Sequence, residues 1–120
     1  MRQQAVSRCL MNRSKATVVA KRLFIADTFF SRLKGLLGTR ELPEGEALLI
    51  RPCNNIHMFG MRYAIDVAFV GEGDKVLKVV ESLAPGRIAW CRGARYVVEM
   101  PCGALRQSGT EAGDTFQIVD

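Results

Sequence analysis

The apolar positions of this chain fall in short runs separated by clusters of glycine, proline, asparagine and charge, the spacing of many short strands joined by turns. Residues 5–11 (AVSRCLM) and 16–26 (ATVVAKRLFIA) flank the turn-like NRSK and read as a strand pair. The period then changes. Phe29, Phe30, Leu33, Leu36 and Leu37 recur at helical intervals, so residues 27–40 are predicted to form an amphipathic helix. Asp27 or Thr28 suits its start and Gly38 its left-handed exit.

Beyond the turn LPEG, EALLIRP predicts a short buried strand halted by Pro52. YAIDVAFV and KVLKVVESL read as two strands joined by the glycine-bearing GEGD. Residues 84–93 read as a loop, ARYVVEMP as a strand, residues 102–114 as a long connection and TFQIVD as the closing strand. The sum is a mostly β domain: a compact β-sandwich, jelly-roll-like or a partly closed barrel, with one amphipathic helix packed on it. Residues 1–120 form one domain on this reading, with residues 1–14 a less ordered start or the first strand.

Composition narrows the class. With 48% hydrophobic and 24% charged residues the chain can bury a core, and no apolar run approaches the roughly 20 residues of a membrane span. The first residues carry charge without a continuous apolar stretch, so no secretory signal is expected and a cytoplasmic location is. In that compartment Cys9, Cys53, Cys91 and Cys102, none of them in a CxxC pair, are expected as free thiols. The net charge of +5 is uneven: residues 1–40 hold nine Lys/Arg against the single acid Asp27. That asymmetry suits an anionic surface or a weak, salt-sensitive contact with nucleic acid. No aromatic interleaving of the RNP type accompanies these basic residues, so specific nucleic-acid binding is not expected from them.

Candidate chemistry gathers in residues 51–70. Cys53, His57 and Met61 lie four apart and are metal-ligand types, which would admit zinc or copper on a helix but not along a strand. A lone histidine is thin support, and no cofactor is predicted. Asp66 interrupts a strand that is apolar on both faces, and Glu99 does the same in YVVEMP. An unpartnered buried carboxylate costs several kcal/mol, so each needs a pocket or a donor. One economical solution is convergence: His57, Arg62, Asp66 and Glu99 would line a single polar pocket for a small polar or anionic ligand. The alternative pairs Asp66 with Glu99 as acid and base of a small hydrolase-like enzyme. The GxSxG, GxxxxGK and HExxH signatures are absent, which favours a binding or accessory module over an enzyme.

Three of these stretches together resemble the family catalogued as domain of unknown function 192. They are Cys-x-x-Ile-His at residues 53–57, Met-Arg-Tyr-x-Ile-Asp-Val-x-Phe at 61–69, and Glu-x-Pro-x-Gly from Glu99 continuing to Gly113-Asp114. The resemblance covers residues 16–120 and implies a compact, jelly-roll-like β-sandwich with a helix on it. It implies no activity. Met58 and Ala64 stand where that family often has threonine and proline, and the export signal of many members is not seen here.

Overall fold

The computed structural model describes residues 8–27 and 41–120. The predicted helical stripe of Phe29, Phe30, Leu33, Leu36 and Leu37 lies outside the described residues. In chain order the elements are β1 (Arg8–Asn12), β2 (Thr17–Ala26), β3 (Glu46–Ile50), β4 (Asn55–His57) and β5 (Ile65–Val70), then β6 (Val76–Leu83), β7 (Ile88–Trp90), β8 (Tyr96–Pro101), a short helix α1 (Ala104–Ser108) and β9 (Phe116–Val119). Seven strands form one sheet in the order β6-β5-β8-β3-β2-β1-β9, and β4 pairs with β7 in a separate ribbon. Neighbours are antiparallel except β2 and β3, whose parallel pairing requires a crossover, supplied by the chain between Ala26 and Glu46.

The large sheet curls into a half-barrel. A bridge between Lys75 and Thr115 joins its two ends, and the Val76 and Gly113 N–H groups donate across the same seam to Asp114 and Val76 carbonyls at 2.8 Å. Of the architectures the sequence allows, this is the partly closed barrel.

Alternation along the central strands divides the core in two. The concave face gathers Leu10, Leu23, Leu49, Val98, Met100 and Phe116, while the convex face gathers Leu48, Ile50, Ile65, Val67, Phe69 and Val97. β5 is buried at every position because both of its faces are covered, which explains its near-continuous apolar sequence. On the convex side the cover includes the β4–β7 ribbon, which inserts Ile56 and Ala89. The loop predicted over residues 84–93 therefore contains a strand, and the long connection over 102–114 contains α1. Both elements are shorter than the window over which periodicity is readable, and their partners are remote in sequence.

The connection after α1 is locked to the β1–β2 turn by a buried polar cluster. The Asn12 side-chain amide donates to Thr110 Oγ1 at 3.0 Å and to Asp114 Oδ2 at 2.9 Å, and its carbonyl oxygen accepts from the Lys15 N–H. Burial by itself would raise the Asp114 carboxyl. Hydrogen bonds from Asn12, Lys15 and the Glu111 N–H outweigh that and hold it below its ordinary value. Asn12→Ala is expected to cost about 2–3 kcal/mol, since it leaves several buried groups unsatisfied. Urea denaturation would measure it, and a loss below about 0.5 kcal/mol, the level of an ordinary surface change, would show that the cluster does not close the seam.

Candidate functional site

The two carboxylates singled out in the sequence sit on adjacent strands but on opposite faces. Asp66 pairs in register with Met100, and Glu99 with Val67 on one side and Leu48 on the other. Asp66 shares its face with Ala68 and Val70 of the concave cluster, whereas Glu99 shares its face with Val97 of the convex one. The sheet itself lies between them. The acid–base pair and the single four-residue pocket are both corrected by this geometry: adjacency in register does not place side chains together when their parity differs.

Asp66 is 1% exposed and fully engaged with backbone. Its Oδ1 accepts from the Ser82 N–H at 2.9 Å, and its Oδ2 accepts from the Gly103 and Leu105 N–H groups at 3.0 and 3.1 Å. Ser82 lies in a bulged stretch of β6 with positive φ, and Gly103 and Leu105 begin α1. A bulge and a helix start both release N–H groups from regular pairing, and one carboxylate collects them. Asp66 is a structural acceptor that ties β5, β6 and α1 together.

Among the described residues Glu99 has no such set of N–H donors. It is 6% exposed, and its Oε1 makes no hydrogen bond among the described residues. Burial pushes its carboxyl up to about 7.

His57 and Arg62 are exposed. On the ribbon, Asn55 faces Trp90 and His57 faces Ile88, and these four exposed residues form the outward side while Ile56 and Ala89 point inward. Phe59, just beyond β4, stacks on the His57 ring with centroids 5.0 Å apart at 27°. Phe59, Ile88 and Trp90 are 53%, 54% and 66% exposed, a concentration of large apolar side chains in water on one small ribbon. Lys78 of β6 holds Trp90 from below, its ammonium donating to the Trp90 carbonyl at 3.0 Å and lying 5.8 Å from the indole centroid. The sequence did not single out Trp90, Ile88 or Phe59. A signal existed in the AWCRG and HMFG stretches, but only the pairing of β4 with β7 makes them one surface.

The metal candidates are not gathered. His57 faces outward, while Cys53 and Met61 pack against the convex cluster, and no group of three His, Cys, Asp or Glu among the described residues could hold a metal ion. None of the four cysteines is in a disulfide, and Cys102 is the exposed one. A cleft of about 310 Å³ at one end of the sheet is lined by Val18, Lys21, Glu44, Cys102 and Gln107, among others, and includes none of the four predicted site residues. No helix among the described residues is long and apolar enough to cross a membrane.

A curled sheet with a ribbon on its convex face and an aromatic surface on that ribbon defines a small half-barrel protein. The family model described as "Uncharacterized ACR, COG1430" matches residues 10–118, and the chain belongs to this family, domain of unknown function 192. A UPF0127 protein of Thermococcus sibiricus is 34% identical over 110 residues, covering 88% of this chain and 71% of that protein. A UPF0127 protein of Pyrococcus abyssi is 32% identical over 116 residues, covering 92% and 97%. The crystal structure of a Novosphingobium aromaticivorans protein of unknown function shares the fold, with a TM-score of 0.78 at 23% identity over 93% of this chain and 84% of that one.

Proposed function

We propose that this protein is a binding or accessory module whose recognition surface is the outward side of the β4–β7 ribbon, and that its ligand carries anionic groups. The observation behind the reading is the joint exposure of Phe59, Ile88 and Trp90 beside His57. Isolated exposed apolar residues are ordinary, but a cluster with a cationic rim is the composition of a contact site. The rim is one-sided: residues 51–64 and 84–96 contain Arg51, Arg62, Arg87, Arg92 and Arg95 and no aspartate or glutamate. This reading keeps His57 and Arg62 in the site and leaves Asp66 to the scaffold.

Trp90 is the only tryptophan, so its emission reports directly on the surface. An acidic peptide, a short oligonucleotide and vesicles of anionic phospholipid form the probe set. At least one is expected to change Trp90 emission, and Phe59→Ser with Ile88→Ser is expected to remove that response while leaving the fold intact. If no probe perturbs Trp90, or the double variant responds like the parent, the surface is not a binding site.

The enzyme reading has one observation in its favour, the Glu99 carboxyl near 7, where a general acid or base works well. Asp66 does not serve as its second reacting group, because it lies across the sheet and is saturated by three N–H donors.

A further inference from the structure

We infer that the ribbon binds single-stranded nucleic acid, its bases stacking on the exposed rings and its phosphates on the surrounding arginines. This rests on the ribbon being the recognition surface and adds the class of partner.

The first ground is the rings. Single strands are bound without strict sequence readout where aromatic side chains offer stacking faces beside a cationic track. Here the His57–Phe59 stack lies on one strand side and Trp90 on the other. His57 and Trp90 are diagonal across the pair, which places them roughly 7–8 Å apart, two separate platforms on one flat side. Lys78 donates to the Trp90 carbonyl and its ammonium lies 5.8 Å from the indole centroid, which adds a cation beside this platform. Asn55, opposite Trp90, adds an exposed amide able to meet a base edge.

The second ground is charge. Arg51 and Arg95 are paired with Asp27 and Glu72, but Arg62, Arg87 and Arg92 are exposed and form no ion pair among the described residues. Arg87 and Arg92 flank the two ends of β7, and Arg62 follows the turn beside the Arg87 end, where the Met58 N–H donates to the Arg87 carbonyl. The free cations therefore bracket the rings, and no carboxylate of the two segments opposes a phosphate. A duplex hides its base faces and would leave the rings unused, so the arrangement selects single strands. An acidic peptide would use the arginines but gains less from two separate stacking platforms. The pairing of β4 with β7, thirty residues apart in the chain, brings these aromatic and basic side chains together.

The experiment is a titration of fluorescently labelled oligothymidylate and oligouridylate, a duplex of equal length, and an acidic peptide, read by anisotropy and by Trp90 emission. Single strands are expected to bind and to quench Trp90, with the duplex weaker. Trp90→Ala should weaken binding about 5- to 150-fold, the range for losing one stacked base. With three arginines on phosphates, the log–log salt slope should be about −2, and it should flatten in Arg87→Glu with Arg92→Glu. Lys21→Glu, in the cleft at the sheet end, should leave the affinity unchanged. No single-strand binding, binding indifferent to Trp90→Ala, or equal loss in Lys21→Glu would overturn the inference. Quenching by the acidic peptide alone would overturn it while sustaining the ribbon as a binding surface. Silence from every probe, including anionic vesicles, would remove both.

Discussion

Asp66→Ala is expected to destabilise the protein by about 3–5 kcal/mol, the loss for removing one side of a buried, charge-bearing hydrogen-bond cluster. The substitution takes the acceptor from three N–H groups at once, those of Ser82, Gly103 and Leu105. The Leu105 bond is buried, so its N–H group has no ready replacement in water. The effect should also be local in a readable way. α1 has no side-chain cap of its own, since its N-cap residue is Gly103, and Asp66 serves in that place from another strand. Amide exchange at Leu105 should therefore accelerate more than exchange in β2 or β3. Asp66→Asn should fall between, because one oxygen is kept and an NH₂ group is turned toward donors. Urea unfolding of Asp66→Ala that shows a loss below about 1 kcal/mol would mean that the three N–H groups find other acceptors.

The second large effect depends on pH. Glu99 folds into an apolar row, between Leu48 and Val67, and its carboxyl rises from 4.5 to about 7. A raised carboxyl binds its proton more tightly in the folded chain than in the unfolded one. Below about pH 4.5 both states hold the proton and burial carries no ionic cost. As pH climbs from there through about 7 the unfolded chain ionises first, stability falls, and above that range the cost is constant at about 3 kcal/mol. Glu99→Gln is neutral at every pH. Relative to the parent it should gain about 2–3 kcal/mol between pH 4 and pH 8, whatever constant offset its amide introduces. Denaturant midpoints of both proteins across that range test this, and a difference that stays flat with pH would show that Glu99 acquires a partner or water. The direction separates it from Asp114, whose lowered carboxyl contributes stability that is lost as pH falls.

The sequence carried the strands whose burial pattern is local. β5 is apolar at nearly every position, β3 and β8 are short apolar runs bounded by turns, and each is a strand of the sheet. It also flagged Asp66 and Glu99 correctly as anomalies, since desolvating a carboxylate is costly wherever the strand lies. The answer to each anomaly was decided by the tertiary structure. Whether a carboxylate is satisfied depends on which N–H groups a bulge in β6 and the start of α1 leave free, and those groups are 16 to 39 residues away from Asp66. Convergence failed for a similar reason: parity within a strand is local, but the registers pairing Asp66 with Met100 and Val67 with Glu99 are set between strands. The ribbon is the clearest case. Three-residue strands such as β4 and β7 carry too few positions for periodicity to register, and each is stabilised by the other and by the convex core. Sequence alone determined that this chain folds around buried β-strands and that two of those strands carry a carboxylate that needs a donor or a pocket. Long-range pairing alone decided that Asp66 belongs to the scaffold, that Glu99 is buried with its Oε1 unpaired among the described residues, and that His57 shares an exposed aromatic surface with Trp90.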